Sequence, residues 1–276
     1  MARKELVDAS RSQELWRQSL LEPLRIRWLR RFWGRLPSSP RCKWCTRPFG
    51  NPGGVIMRAI GLGPWPQNPK YCTGCYRVLR QSHGGAEVEC SLLFADVRGS
   101  TPLAEPMRPR DFNRLMGRFY DTATDVLVRH DAIVDKFVGD EVIAIFVPAM
   151  AGQSHARVAI DAATELLRRT GHGSPSGPWV PIGAAVNTGI AYVGTIGDGP
   201  DTELTAMGDV VNTTARLASA AGAGELLVTF ESALRANLTD ETAERRSLTL
   251  KGKSVPVDVL VFGATHIRYK PDIRTG

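Results

Sequence analysis

The chain has 276 residues, 43% hydrophobic and 23% charged, which allows one core of ordinary size plus a small appendage and excludes a disordered protein. No apolar run approaches the roughly 20 residues that cross a bilayer, and residues 1–10 hold no secretory apolar core, so a cytoplasmic protein is expected. The net charge of +7 is unevenly spread: residues 1–84 carry 16 Lys+Arg against 4 Asp+Glu, and the remaining 192 carry 19 against 24. Basic character belongs to the amino-terminal third, which reads as a separate module.

Residues 1–36 read as a basic amphipathic helical segment. Trp16, Leu20, Leu24, Trp28, Phe32 and Leu36 recur every four positions, and Pro23 is expected to start a second helix. Arg25, Arg27, Arg30, Arg31 and Arg35 flank this stripe. Such a helix suits peripheral attachment to an anionic membrane surface, or docking to a regulatory partner or a second copy.

Residues 37–84 form a Cys-, Pro- and Gly-rich segment with two CxxC pairs, Cys42/Cys45 and Cys72/Cys75. In a cytosolic chain these favour a four-thiolate structural Zn²⁺ site, a zinc-ribbon-like module, over disulfides. The spacing between the pairs is longer than a usual ribbon's, which leaves a redox dithiol as the alternative. Four thiolates on Zn²⁺ carry a formal charge of −2, so Arg41, Lys43, Arg47, Lys70 and Arg77 have a compensating role open to them. That competes with nucleic-acid binding, which is not the expected use of this segment. Cys90 lies in an apolar strand and reads as a small buried hydrophobe.

Residues 85–265 alternate strand and helix, and residues 266–276 form a tail. The predicted order is strand 88–94, helix 109–130, hairpin 132–147, helix 155–169, strands 180–186 and 190–195, helix 210–221, strand 225–229, helix 231–236, and strands 248–250 and 255–262. This βαββαβ order predicts a ferredoxin-like α/β sandwich with its helices on one sheet face. The histidines at 83, 130, 155, 172 and 266 show no metal-binding spacing and read as surface or packing residues.

Asp96 and Asp140 carry the chemistry. Each ends an apolar strand beside a turn, Asp96 before Arg98-Gly99-Ser100-Thr101 and Asp140 at the Gly139-Asp140 hairpin turn. Carboxylates so placed can hold a divalent metal, and the backbone N–H groups of Arg98–Thr101 can cradle phosphate. Lys136 lies four residues before Asp140. Asn212 and Arg216 lie four apart at the start of a helix and share one face, where an amide and a guanidinium can hold ribose and phosphate oxygens.

With FADVRGST at 94–101, KFVGDE at 136–141 and TAMGDVVNTTAR at 205–216, the chain resembles the class III nucleotidyl cyclases over residues 87–265. The resemblance implies that Asp96 and Asp140, assisted by the Val97 carbonyl, bind two Mg²⁺ or Mn²⁺ ions per site. It implies that Lys136 and Thr205 read the purine, that Asn212 orients the ribose and that Arg216 stabilises the transition-state phosphate. Lys251 matches, more loosely, a phosphate-contacting lysine. In the family the metal half and the base half of each site come from opposite subunits, so a homodimer is implied. The family more often has Asp where this chain has Thr205, and Thr marks a subgroup.

Lys136 only donates hydrogen bonds and Thr205 can accept from an amino group, a pattern that favours ATP over GTP. An adenylate cyclase forming cyclic AMP and pyrophosphate is therefore the expected activity, with a guanylate cyclase as the alternative. A diguanylate cyclase leaves Asn212 and Arg216 unexplained. A non-catalytic, nucleotide-binding regulatory module is the remaining reading, and the full set of polar site residues opposes it.

Overall fold

The computed structural model describes residues 2–22, 27–35, 38, 40–66, 68–81, 84–197, 202–238, 243–264, 267 and 269. Among these, the amino-terminal third contains α1 (Ala2–Leu21), α2 (Arg27–Gly34), α3 (Gly53–Ala59), β1 (Pro64–Trp65), β2 (Asn68–Cys72) and α4 (Thr73–Gln81). There follow β3 (Gly85–Val97), α5 (Ser100–Ala104), α6 (Pro109–Arg129), β4 (Ile133–Val138), β5 (Glu141–Phe146), α7 (Pro148–Ala151), α8 (His155–Arg169) and β6 (Ile182–Ile196). The chain ends with β7 (Glu203–Met207), α9 (Asp209–Ala220), β8 (Leu226–Thr229), α10 (Phe230–Arg235), β9 (Glu244–Leu248) and β10 (Val257–Phe262).

Strands β3 to β10 form one sheet in the order β4-β5-β3-β6-β8-β10-β9, with β7 paired to the outer half of β6. The kernel β3-α6-β4-β5-α8-β6 has the expected βαββαβ order, with β3 and β6 paired along all of β3. Among the described residues, only the β6–β8 pairing is parallel. The helices do not all lie on one face. Leu93, Ala95, Ala184 and Val186 face α6, α8 and α10, whereas Leu92, Phe94 and Ala185 face α9, α1 and the cysteine segment. Both sides of β3 are buried from Cys90 to Ala95, which is why Leu92-Leu93-Phe94-Ala95 is an unbroken apolar run instead of an alternation.

The amino-terminal third is docked on that second face. Its proposed stripe divides: Trp16 and Leu20 on α1 are buried, whereas Trp28 and Phe32 on α2 are 66% and 51% exposed. Leu24, Leu36, Pro23 and Arg25 lie outside the described residues. The excess basic charge meets the acidic remainder across the junction, with Arg31 pairing Asp131 at 2.9 Å, Lys43 pairing Asp135 at 2.9 Å, and Lys70 pairing Glu203. Cys90 is buried in β3, and burial pushes its thiol up to about 12, as expected of an inert core residue.

Two local devices position the site. Gly139 takes φ 61°, a left-handed conformation that a side chain disfavours, and turns β4 into β5. Tyr120 on α6 donates its hydroxyl to the Gly139 carbonyl and anchors that turn. On the other face, Asn187 in β6 donates its amide to Val210 O at 3.3 Å, and Thr229 donates to Asn187 Oδ1 at 3.0 Å. This buried chain ties the first turn of α9 to the sheet.

Candidate active site and cysteine centre

Asp96 lies at the carboxyl end of β3, in register with Glu141 across β5. Asp140 occupies the adjoining turn, and its carbonyl accepts from the Val97 N–H at 3.3 Å. The two aspartates therefore stand at neighbouring strand ends. Burial pushes the Asp96 carboxyl up from its ordinary range; the Arg98 guanidinium opposes this and Asp140 adds to it. Glu141 is pushed up to about 7, first by burial and then by Asp96. Carboxylates crowded in this way favour a cation, and hard oxygen donors suit Mg²⁺ or Mn²⁺.

Arg98 pairs with Asp96 and also donates to Ser219 O at 2.9 Å and Ala221 O at 3.4 Å. These carbonyls close α9, where a cation is favoured. The Arg98 backbone N–H is engaged by Pro181 O at 2.8 Å, so any phosphate cradle here starts one residue later than expected, at Gly99. Leu103 is the first N–H to return to Gly99 O, which leaves those of Ser100 and Thr101 without an acceptor inside α5.

Lys136 and Thr205, the two residues expected to read a purine, lie on β4 and β7. Lys136 has a side chain 39% exposed, and its Nζ stands 3.9 Å from Asp135 Oδ2. Thr205 is buried and donates its hydroxyl to the same oxygen at 2.7 Å. The register of β4 slips between Val134 and Lys136, a bulge at Asp135. Sequence reasoning missed Asp135. Its one signal was a carboxylate within an apolar strand, which calls for a buried partner.

Asn212 and Arg216 lie one turn apart on α9. Gly208 stands at the N-cap of this helix. Among the described residues, neither side chain has a hydrogen-bond or ion-pair partner, and Asn212 is exposed. The turn at Lys251-Gly252 packs against this face: a Cβ added at Gly252 would lie 3.4 Å from Arg216 Nη2. Lys253 in the same turn pairs with Asp209. Lys251 itself is exposed beside them.

The four cysteines converge, with sulfurs all within 4.8 Å of one another and none in a disulfide. Four sulfurs around Zn²⁺ at about 2.3 Å would be about 3.8 Å apart, close to the 3.6 Å between Cys45 and Cys72. Backbone N–H groups of Cys72 and Cys75 donate to Cys42 Sγ at 3.2 Å and Cys72 Sγ at 3.5 Å. Cys72 ends β2 and Cys75 lies in the first turn of α4, so the second pair sits at a strand–helix junction and not in a ribbon hairpin.

The surrounding cations differ from those expected. Arg47 donates to Cys72 Sγ at 3.4 Å. Lys43 and Lys70 are engaged elsewhere, by Asp135 and Glu203, and Arg41 donates to Trp33 O at 2.8 Å. Arg30 takes their place. It is fully buried, its Nε and Nη1 have no hydrogen-bond partner among the described residues, and burial favours loss of its proton, opposed first by Asp131 and then by Cys45, Cys42 and Cys75. A buried guanidinium is costly without nearby negative charge. A thiolate cluster of formal charge −2 beside Arg30 and Arg47 fits that need.

The histidines are packing residues where described. His155 is buried against Ser91 at 2.9 Å, and His172 Nε2 accepts from the Ile182 N–H at 3.0 Å. His83 and His266 lie outside the described residues.

Residues 85–263 match the family described as the adenylate and guanylate cyclase catalytic domain. An uncharacterized protein of Mycobacterium tuberculosis is 30% identical over 183 residues, covering 64% of this chain and 33% of that protein. Adenylate cyclase 1 of Rhizobium meliloti is 28% identical over 134 residues, covering 47% of this chain and 20% of that enzyme. The chain thus spans a third or less of the length of these relatives. Among solved structures, the guanylyl cyclase Cya2 superposes with TM-score 0.59 at 23% identity, over 69% of this chain and 97% of that one. The adenylyl cyclase CyaB from P. aeruginosa gives 0.55 at 24% identity, over 67% and 96%. These likenesses establish the fold, and with the family match across most of its length, the chain belongs to the adenylate and guanylate cyclase catalytic domain family.

Proposed function

We propose that the protein is an adenylate cyclase, converting ATP to 3′,5′-cyclic AMP and pyrophosphate at sites shared across a homodimer. The observation that carries the choice of base is the Thr205–Asp135 hydrogen bond at 2.7 Å. Asp135 takes the only proton of the Thr205 hydroxyl, so that group faces a purine as an acceptor. Lys136 faces it as a donor. Adenine offers an amino donor beside the N1 acceptor and complements both; guanine offers a carbonyl beside an N–H and opposes both.

Asp96 and Asp140, with the Val97 carbonyl, would hold two Mg²⁺ or Mn²⁺ ions, which when bound acidify the 3′-hydroxyl and neutralise phosphate charge. Asn212 would orient the ribose so that the 3′-oxygen stands in line with the α-phosphorus. Arg216 would donate to the α-phosphate oxygens as negative charge gathers there, and the N–H groups of Gly99–Thr101 with Lys251 would hold the leaving pyrophosphate. Exposed Phe137, Val138, Ile190, Ile196 and Met207 lie on strands around Lys136 and Thr205, and support a second copy closing over the base half. Purified protein with ATP or GTP and Mn²⁺ tests the assignment. Cyclic AMP should form at least about tenfold faster than cyclic GMP. Cyclic GMP as main product overturns the base reading, and no cyclic product from either overturns the enzyme.

The cysteine centre would be a structural zinc site, supported by the four converging sulfurs and the buried Arg30. Elemental analysis should find one zinc per chain, and Cys72→Ser should lose it with a fall of several degrees in Tm. Four thiols that titrate freely in metal-free, fully stable protein would oppose the site. Regulation is the role proposed for the amino-terminal third. No helix among the described residues is long and apolar enough to cross a membrane.

A further inference from the structure

Lys43 lies inside the first CxxC pair, yet its side chain leaves the sulfur cluster and enters the purine-reading end of the catalytic unit. Its Nζ donates to Asp135 Oδ1 at 2.9 Å and to Leu204 O at 2.8 Å. Both partners of the ion pair are buried, with side chains 7% and 3% exposed. The other carboxylate oxygen of Asp135 holds the Thr205 hydroxyl. Asp135 therefore links one residue of the cysteine knuckle to one proposed reader of the base.

The contacts around this link are equally directed. Tyr71, immediately before Cys72, accepts the Leu204 N–H at 2.9 Å, and Lys70 pairs with Glu203. Lys70 also accepts the Lys43 backbone N–H at 2.9 Å. Three consecutive residues of β7, Glu203 to Thr205, are thus gripped directly or through Asp135 by residues adjoining Cys42 and Cys72. On its other side β7 pairs with β6. The cysteine module holds the free side of the strand that carries Thr205.

We propose that Lys43 is a specificity-determining positioning residue, through which the cysteine module fixes the hydrogen-bonding direction of Thr205. The proposal rests on the reading of Thr205 as a base contact. With Lys43 in place, Asp135 is held between Lys43 and Thr205, and it keeps the Thr205 proton turned away from the purine. Without Lys43, Asp135 is left with the longer pairing to Lys136 at 3.9 Å and is free to turn from β7, and the Thr205 hydroxyl can then donate elsewhere. A hydroxyl able to donate can serve the guanine carbonyl as well as the adenine amino group. Selectivity, more than turnover, is what Lys43 protects.

The test is Lys43→Met, which keeps most of the apolar stem and removes the charge, beside Lys43→Met/Asp135→Asn, which leaves no unpaired buried charge should the single variant fold poorly. Both are compared with the native protein for zinc content, Tm, and kcat and KM on ATP and on GTP. The expected result for Lys43→Met is normal zinc content and an ATP-over-GTP ratio of kcat/KM reduced at least about tenfold, chiefly through KM. The double variant should show the same reduction, and Lys43→Arg should restore part of the ratio. A merely structural lysine would lower Tm and slow both nucleotides equally; an unchanged ratio in either folded, zinc-loaded variant overturns the proposal. If the native protein forms no cyclic nucleotide, the enzyme reading fails separately, and the same ratio is read from the dissociation constants of nonhydrolysable ATP and GTP analogues. There too, an unchanged ratio rejects the role of Lys43.

Discussion

Asp96→Asn is expected to reduce ATP cyclisation on the order of 10³-fold or more while leaving the fold intact. The substitution keeps shape but removes the anionic oxygen that a divalent ion requires. Metal assistance supplies several kcal/mol of transition-state stabilisation, at about 1.36 kcal/mol per tenfold in rate. Stability should move the other way. Burial raises the Asp96 pKa, so the folded state keeps its proton to higher pH than the unfolded chain. The native protein, without divalent metal, therefore loses stability as pH rises through that range, and the Asn variant escapes the loss. Arg98 gives up one partner but keeps Ser219 O and Ala221 O. Thermal melts at neutral pH should show an equal or higher Tm, beside steady-state rates in Mn²⁺ that fall to background. A variant retaining a tenth of native activity would remove Asp96 from the metal site.

Arg216→Ala should lower kcat about 10²- to 10³-fold with little change in KM for ATP, because its guanidinium is proposed to serve the charge that develops at phosphorus. Its stability cost should stay near 0.5 kcal/mol, since among the described residues it makes no ion pair. Arg216→Lys should recover only part of the rate, because an ammonium lacks the planar fork of donors. A rise in KM at constant kcat would mark Arg216 as a ground-state contact. The two predictions separate because they remove different halves of one site.

Much of the catalytic unit was legible in the sequence because local chemistry agrees with the fold. The helix His155–Arg169, the turn at Gly139-Asp140 and the Asn212/Arg216 face all stand where period and turn residues put them. Strand β6 was harder. Asn187-Thr188-Gly189 reads as a break between two strands, yet β6 runs unbroken from Ile182 to Ile196. The structure shows why those residues are there: Asn187 bonds the first turn of α9, and a Cβ at Gly189 would meet Val210 Cγ2 at 3.2 Å. They serve helix packing, not chain reversal.

The amino-terminal third was less legible because its partners are distant in sequence. A four-residue aromatic repeat cannot distinguish Trp16, buried on the sheet, from Trp28, left exposed by a second helix. Likewise, nothing local to Lys43 indicates Asp135, which lies 92 residues away. The charge imbalance between the two parts was visible, and its physical meaning is docking: basic residues of one part neutralise Asp131, Asp135 and Glu203 of the other.

The shared-site arrangement is tested most directly by mixing. Asp96→Asn and Arg216→Ala proteins, each inactive alone, are combined in equal amounts and allowed to exchange subunits before ATP and Mn²⁺ are added. If each site takes its metal half from one copy and its base half from the other, half the dimers are mixed and each has one intact site. Activity should return to about a quarter of the native level. Complete exchange with no recovery would contradict the arrangement.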